Sequence, residues 1–269
     1  MKIKEVAEAL ERFAPLPLQE SYDNAGLQIG LTEAETSGVL LCLDVTESVI
    51  EEAAAKGCNL VVAHHPLLFK SVKQISDTTL VERCVRQAIL RGITIYAAHT
   101  NLDNAQGGVN HVIAQKLGLE RVEFLVLQGE CAGVKGGSGI VGYLPTPEKP
   151  MAFFERVADV FGVECLMHNE GPSREIRKVA LCGGSGDFLM EAAIAQRADV
   201  VLTGEMSYHR YFGQENNIWL GVLGHYQSEQ YTIDLLSQIL GKAFPMLPVY
   251  KTEHHTNPIK YMWRKNKTK

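Results

Sequence analysis

The chain has 269 residues, about twice the commonest domain size, which predicts two domains or one large α/β unit. With 46% hydrophobic and 21% charged residues it has ample material for a core, which excludes a disordered, collagen-like or disulfide-stapled chain. A net charge of −5 leaves no electrostatic footprint for nucleic acid, and the basic run Lys260, Arg264, Lys265, Lys267 and Lys269 reads as a solvated terminus.

The first residues, Met1 to Val6, predict an amphipathic helix without the apolar core of a signal peptide. No stretch approaches the roughly 18 apolar residues that span a bilayer. Gly38–Asp44 is a continuous apolar run, the mark of a strand buried on both faces. Val49, Ile50, Ala53 and Ala54 then recur at helical spacing, with Gly57 as a stop. Leu60–Ala63 is a second buried strand, running into His64-His65-Pro66. A helix through Leu80, Val81, Cys84, Val85 and Ala88 follows. Ile93–Ala97 is a third strand, running into His99-Thr100-Asn101-Leu102-Asp103, and a helix through Val109, Val112, Ile113 and Leu117 closes at Gly118. Strands alternating with helices in this way predict parallel βαβ units.

Glycines crowd the stretch from Cys131 to Tyr143, and Pro145, Pro147 and Pro150 follow. This predicts the first hairpin of a second domain and the loop after it, not a phosphate-binding loop, since no GxxxxGK[ST] is present. Alternation resumes with strands at Val179–Cys182, Val200–Leu202 and Ile218–Val222. A helix through Phe188, Leu189, Ala192 and Ala193 lies between the first two. A last helix through Tyr231, Leu235, Leu236, Ile239 and Leu240 is expected to stop at Gly241. The fold class is therefore α/β: two associated three-layer domains with largely parallel or mixed sheets. Residues 1–127 with 223–269 form one domain and residues 128–222 the other. The six cysteines form no CxxC pair and several lie in apolar runs, which points to a reducing, cytoplasmic setting.

The polar residues of interest sit immediately after buried strands, where ligands of open α/β sheets bind. His64, His65, His99, Asp103, Glu205 and His225 all obey that rule. Side chains of successive extended residues point to opposite sides, so His64 and His65 suit two ions a few ångströms apart better than one. His225 and Glu229 are four residues apart and share a face if the last helix starts near Tyr226. A carboxylate such as Glu229 can bridge two cations. His64, His65, Asp103, His225 and Glu229 thus make a ligand set for two divalent metal ions, with zinc, iron, manganese and nickel all suited to imidazole and carboxylate. Such a pair activates water and clamps an oxyanion, which favours hydrolysis. His99, Glu205 and His209 are candidates for proton transfer or ligand support. His254-His255 precedes a Thr-Asn-Pro turn and reads as structural, while Asp23 and Asn24 lie in a loop that can approach the site.

Several motifs together resemble the Ngg-one-interacting-factor-three-like family, whose members are also described as GTP cyclohydrolase I type 2 homologues. They are Tyr22–Gly30, Ala63–Pro66, His99–Asp103, Leu202–Glu205 and Gly224–Glu229. The resemblance covers nearly the whole chain, in a short form without an inserted mid-chain domain. It implies a dinuclear metal centre held by His64, His65, Asp103, His225 and Glu229, with Glu229 as the bridge. It also implies a toroidal homohexamer with the sites facing an internal cavity. The expected substrate is a small anionic molecule or nucleotide. A metal-binding scaffold or regulatory protein without turnover is the alternative, and nucleic-acid binding the least favoured reading. The cysteine–histidine, one-zinc motif of classical GTP cyclohydrolase I is absent from the sequence.

Overall fold

The computed structural model describes residues 1–262, so Arg264, Lys265, Lys267 and Lys269 of the basic run lie outside the described residues. The first part of the chain contains α1 (Ile3–Phe13), β1 (Gly26–Ile29), β2 (Val39–Cys42), α2 (Glu47–Ala55), β3 (Leu60–Ala63), α3 (Leu80–Arg91) and β4 (Thr94–Ala97). Two short helices, α4 (Thr100–Asn104) and α5 (Val109–Lys116), lead into a long hairpin of β5 (Glu120–Cys131) and β6 (Val134–Glu148). Then come α6 (Pro150–Phe161), β7 (Met167–His168), β8 (Ile176–Cys182), α7 (Met190–Ala195), β9 (Val200–Thr203) and β10 (Trp219–Val222). The chain ends with α8 (His225–Glu229), α9 (Thr232–Ala243) and β11 (Val249–Lys251). No helix among the described residues is long and apolar enough to cross a membrane.

Two mixed sheets result. One has the order β1-β4-β3-β2-β11, the other β5-β6-β8-β9-β10-β7. In each, the centre is parallel: β11, β2, β3 and β4 in the first, β8, β9 and β10 in the second. The expected α/β class with mixed sheets is what the chain adopts. The strand that straddles residue 127, β5, lies wholly in the second sheet, while β11 returns the chain to the first.

The period-two alternation of strand side chains assigns each face its neighbours. In β2, Leu40 and Cys42 pack with Val49 and Ile50 of α2 and Cys84 and Ala88 of α3. Val39 and Leu41 point the other way, into a cluster with α1, α9 and Tyr96. In the second sheet Ala180 and Val201 face Met190 and Ala193 of α7, whereas Val179, Leu181, Val200 and Leu202 join the same cluster as Val39 and Leu41. One continuous apolar layer therefore lies between the sheets, filled by α1, α5, α6 and α9. This is why both central strand sets read as unbroken apolar runs: each is covered on both faces.

Three local expectations are corrected. Pro145 and Pro147 lie in β6 rather than in a loop. Pairing with β8 jumps from Tyr143↔Lys178 to Glu148↔Ile176, so the prolines' missing N–H groups fall in an irregularity of the ladder. Pro150 opens α6, where a proline at the first turn has no hydrogen bond to lose. Finally, α9 passes through Gly241 to Ala243 and is separated from α8, so His225 and Glu229 sit on a one-turn helix of their own.

The shared layer makes its largest side chains costly to truncate. Phe153 of α6 is fully buried in it. Phe153→Ala is expected to lower unfolding free energy by about 3–5 kcal/mol, read as a fall in the denaturation midpoint at unchanged slope.

Candidate metal centre

The residues that follow β2, β3, β4, β8, β9 and β10 converge on one cavity of about 540 Å³. Both sheets thus present their carboxyl ends to a common point. His64 and His65 prolong β3: the His64 N–H donates to the Cys42 carbonyl at 3.1 Å and the His65 N–H to the Leu43 carbonyl at 2.9 Å. Their side chains leave the extended backbone differently, His64 fully buried and His65 partly exposed, yet both rings reach the centre.

Hydrogen bonds settle which nitrogen each imidazole turns inward. His64 Nδ1 lies 2.7 Å from the Ala98 carbonyl, which can only accept, so Nδ1 donates. In the neutral ring Nε2 then carries the lone pair. It faces Asp103 Oδ1 and Glu229 Oε1, each at 3.7 Å, beyond hydrogen-bond reach. Both His64 Nε2 and Asp103 Oδ1 are buried without a hydrogen-bond partner. Electron-rich atoms facing one another at this separation call for a cation between them. Ligands about 2.1 Å from a tetrahedral ion are roughly 3.4 Å apart, close to the spacing here.

A second group repeats the pattern. His65 Nδ1 meets Asp44 Oδ1 at 2.8 Å and His225 Nδ1 meets Glu205 Oε1 at 3.0 Å. Their Nε2 atoms lie 3.2 Å apart, and 3.0 and 3.1 Å from Glu229 Oε2. Glu229 therefore offers one oxygen to each group, and it is itself almost wholly buried. Three sets could each hold a metal ion: His64, Asp103 and Glu229; His65, His225 and Glu229; and His64, His65 and His99.

Glu229 is confined by its surroundings. Gly184, at φ +58°, follows β8, and a Cβ there would collide with Glu229 Oε1 and approach His225 Nε2 at 3.3 Å. The Gly184 N–H donates to Ser228 Oγ at 3.0 Å, tying that loop to α8. Asn110 of α5 accepts from the Gly183 N–H at 2.9 Å and donates to the Asp103 carbonyl at 3.1 Å, tying the same loop to α4.

The charges follow from this crowding. Burial works against a charged His65, but hydrogen bonds to Asp44 and Glu229 outweigh it and raise its pKa to about 10. A hydrogen bond to Glu229 lifts His225 to about 9, burial opposing. Glu229 is pulled well below the carboxylate range, because the imidazoles outweigh the burial that would raise it. Asp103 is raised, chiefly by burial.

Most of the expected site residues are brought together here. His64, His65, Asp103, His225 and Glu229 form the centre, Glu205 holds His225, and His99 lies beside His64 and His65. His99 Nδ1 is 2.7 Å from Asp23 Oδ1. Burial alone would raise Asp23, yet hydrogen bonds from His99 and Thr100 hold it at about 2. His209 is not brought in. It sits exposed on the short turn Tyr208–Tyr211 against Tyr208 and Phe212, away from the cavity lining, because the chain turns outward after Glu205. His255 stacks on Tyr226 at 4.5 Å, and His254 stays exposed. Asp44 escaped the sequence reading although it follows β2 as His64 follows β3, so the same rule covers it.

A family model, Duf34/NIF3 (NGG1p interacting factor 3), matches residues 1–258. The chain belongs to this family. Among its relatives is a Clostridium acetobutylicum protein named "GTP cyclohydrolase 1 type 2 homolog", 31% identical over 97% of this chain and 99% of that one. A Lactococcus lactis protein of the same name is 33% identical over 96% and 98%. Of solved structures, a Staphylococcus aureus hypothetical protein superposes with TM-score 0.87 at 26% identity, covering 97% of this chain and 99% of that one. A Bacillus cereus protein related to NIF3 shares the fold, with TM-score 0.87 at 23% identity and the same coverage.

Two outcomes are expected of this family member. Gly184→Ala should displace Glu229 and lower metal content several-fold while leaving the circular dichroism spectrum unchanged; retained metal would contradict the contact. Because the folded-state pKa values of His65 and His225 lie above neutrality, both rings carry protons at pH 7 in the metal-free protein. An incoming cation must displace them, so affinity should rise with pH up to about 9–10 and uptake at pH 7 should release about two protons per chain. Calorimetry in two buffers of different ionisation enthalpy measures that release.

Proposed function

We propose that the protein is a dinuclear metal-dependent hydrolase acting on a purine nucleotide or a related phosphorylated substrate, as the names of its relatives suggest. The observation that carries this reading is the division of Glu229 between two donor groups, with His64 Nε2 and Asp103 Oδ1 buried and unpartnered in one of them. His64, Asp103 and Glu229 Oε1 would hold one divalent cation, and His65, His225 and Glu229 Oε2 the other. Zinc, iron, manganese or nickel suits these donors.

When bound, such a pair supplies Lewis acidity, lowering the pKa of water and polarising an electrophilic carbon or phosphorus. Five side chains for two ions leave positions open to water and substrate, as catalytic rather than structural sites do. The chain's own groups orient and move protons. Asp44 and Glu205 fix the rings of His65 and His225, and Ala98 fixes His64. Asp23 holds His99 through Nδ1, leaving Nε2 free to exchange a proton at the cavity wall. A homohexameric ring with the cavities facing inward completes the reading, and light scattering at six times the chain mass would support it. The six cysteines are all free, which fits the reducing cytoplasm.

The test is release of formate from GTP by metal-loaded protein, with and without chelator. Chelator-sensitive release is expected, and Glu229→Ala should abolish metal occupancy and turnover together. Full activity in that variant would sink the proposal. Metal-dependent stability with no turnover of any nucleotide or phosphoester would favour a metal-binding scaffold instead.

A further inference from the structure

The cavity wall carries a second polar cluster, built around Glu20. The Glu20 N–H donates to Thr100 Oγ1 at 2.9 Å. Its Oε1 accepts from Asn104 Nδ2 at 3.0 Å and from Gln128 Nε2 and Ser138 Oγ at 3.2 Å each. Three donors from α4, β5 and β6 thus immobilise one oxygen, while Oε2 accepts no hydrogen bond among the described residues. Glu20, Asn104 and Ser138 line the same cavity as His65, Asp103 and Glu229. Neither lysine nor arginine is among the described residues that line the cavity.

Two further features narrow what can answer it. A carboxylate only accepts, so an organic group that complements it presents N–H or O–H donors. Part of the cavity wall is aromatic: Tyr22 and Phe69 lie edge to face at 6.4 Å and are 63% and 44% exposed, and Phe188 and Tyr226 line the cavity too. Exposed aromatic faces around a polar cavity accommodate a flat ligand.

We infer that Glu20 is a specificity-determining residue, whose free oxygen accepts from adjacent N–H donors on the edge of a planar nitrogen heterocycle lying against Tyr22 and Phe69. The inference deepens the proposed hydrolase, resting on the reading of this cavity as its substrate site. The heterocycle's donor edge goes to Glu20, and the anionic or electrophilic end goes to the metal centre. Among the described residues of the lining, the histidines of the metal centre and the neighbouring His99 are the side chains that can carry positive charge, so an anionic group belongs at that side.

Equilibrium binding of guanosine, inosine and adenosine to the metal-loaded protein tests this. Guanosine offers a ring N–H beside an amino group, inosine the ring N–H alone, and adenosine an acceptor in that ring position. Wild type should bind guanosine at least about tenfold more tightly than adenosine, with inosine between, since a half-buried carboxylate facing an acceptor instead of a donor penalises the wrong edge. Glu20→Gln keeps the shape and an acceptor for the three donors but removes the anionic oxygen. It should bring the three nucleosides within about twofold at unchanged metal content. Should that variant misfold, the wild-type ranking alone decides. Equal binding of the three, no binding of any, or a preference that survives in Glu20→Gln would overturn the inference. The ranking without turnover would leave it standing and remove the hydrolase; turnover without the ranking would do the reverse.

Discussion

The buried carboxylate of Glu229 is the constraint on which the centre depends. An anion removed from water is tolerated only when opposite charge and hydrogen bonds replace its hydration, and the penalty otherwise is several kcal/mol. Here His65 and His225 supply the replacement. They and His64 are each aimed by a group behind the ring: Asp44, Glu205 and the Ala98 carbonyl. None of these is dispensable to the geometry, because an imidazole without its outer acceptor loses both tautomer and orientation. A side chain at position 184 would intrude on Oε1, so the glycine there leaves Glu229 the room it occupies.

That requirement links the two sheets. His64, His65 and Asp103 come from the first sheet's loops, and His225 and Glu229 from the segment that leaves β10 of the second. Their relative placement is held by the apolar layer common to both sheets, where Val39 and Leu41 share one cluster with Val179 and Leu202. A shift of one sheet against the other by an ångström would open the 3.0 Å contact between His65 Nε2 and Glu229 Oε2 and expose buried charge. Packing and electrostatics therefore enforce the same arrangement.

Much of this was legible in the sequence, for a physical reason. Doubly covered strands must be continuously apolar, so β2, β3, β4, β8 and β9 announce themselves, and their carboxyl ends announce the site. His64, His65, Asp103, His225 and Glu229 followed from that rule and from spacing. What stayed hidden depends on non-local contact. Nothing near Glu20 in sequence reveals its partners Gln128 and Ser138, which arrive from a hairpin more than a hundred residues away. His209 looked like Glu205's neighbour but lies on a turn that leads outward. Pro145 and Pro147 looked like loop residues, because only the register of β6 against β8 shows where a strand can lack N–H groups. Helix α6 carried a readable signature, Phe153, Phe154, Val157 and Phe161 between Pro150 and Gly162, that the nearby prolines obscured.

Metal stoichiometry of the purified, metal-supplemented protein, by elemental analysis against amino-acid analysis, tests the central claim most directly. If Glu229 serves two donor groups with one oxygen each, the value should lie close to two tightly held ions per chain. Fewer than one tightly held ion after supplementation would contradict the claim, and would mean that the inward-facing nitrogens of His64, His65 and His225 are satisfied by protons alone.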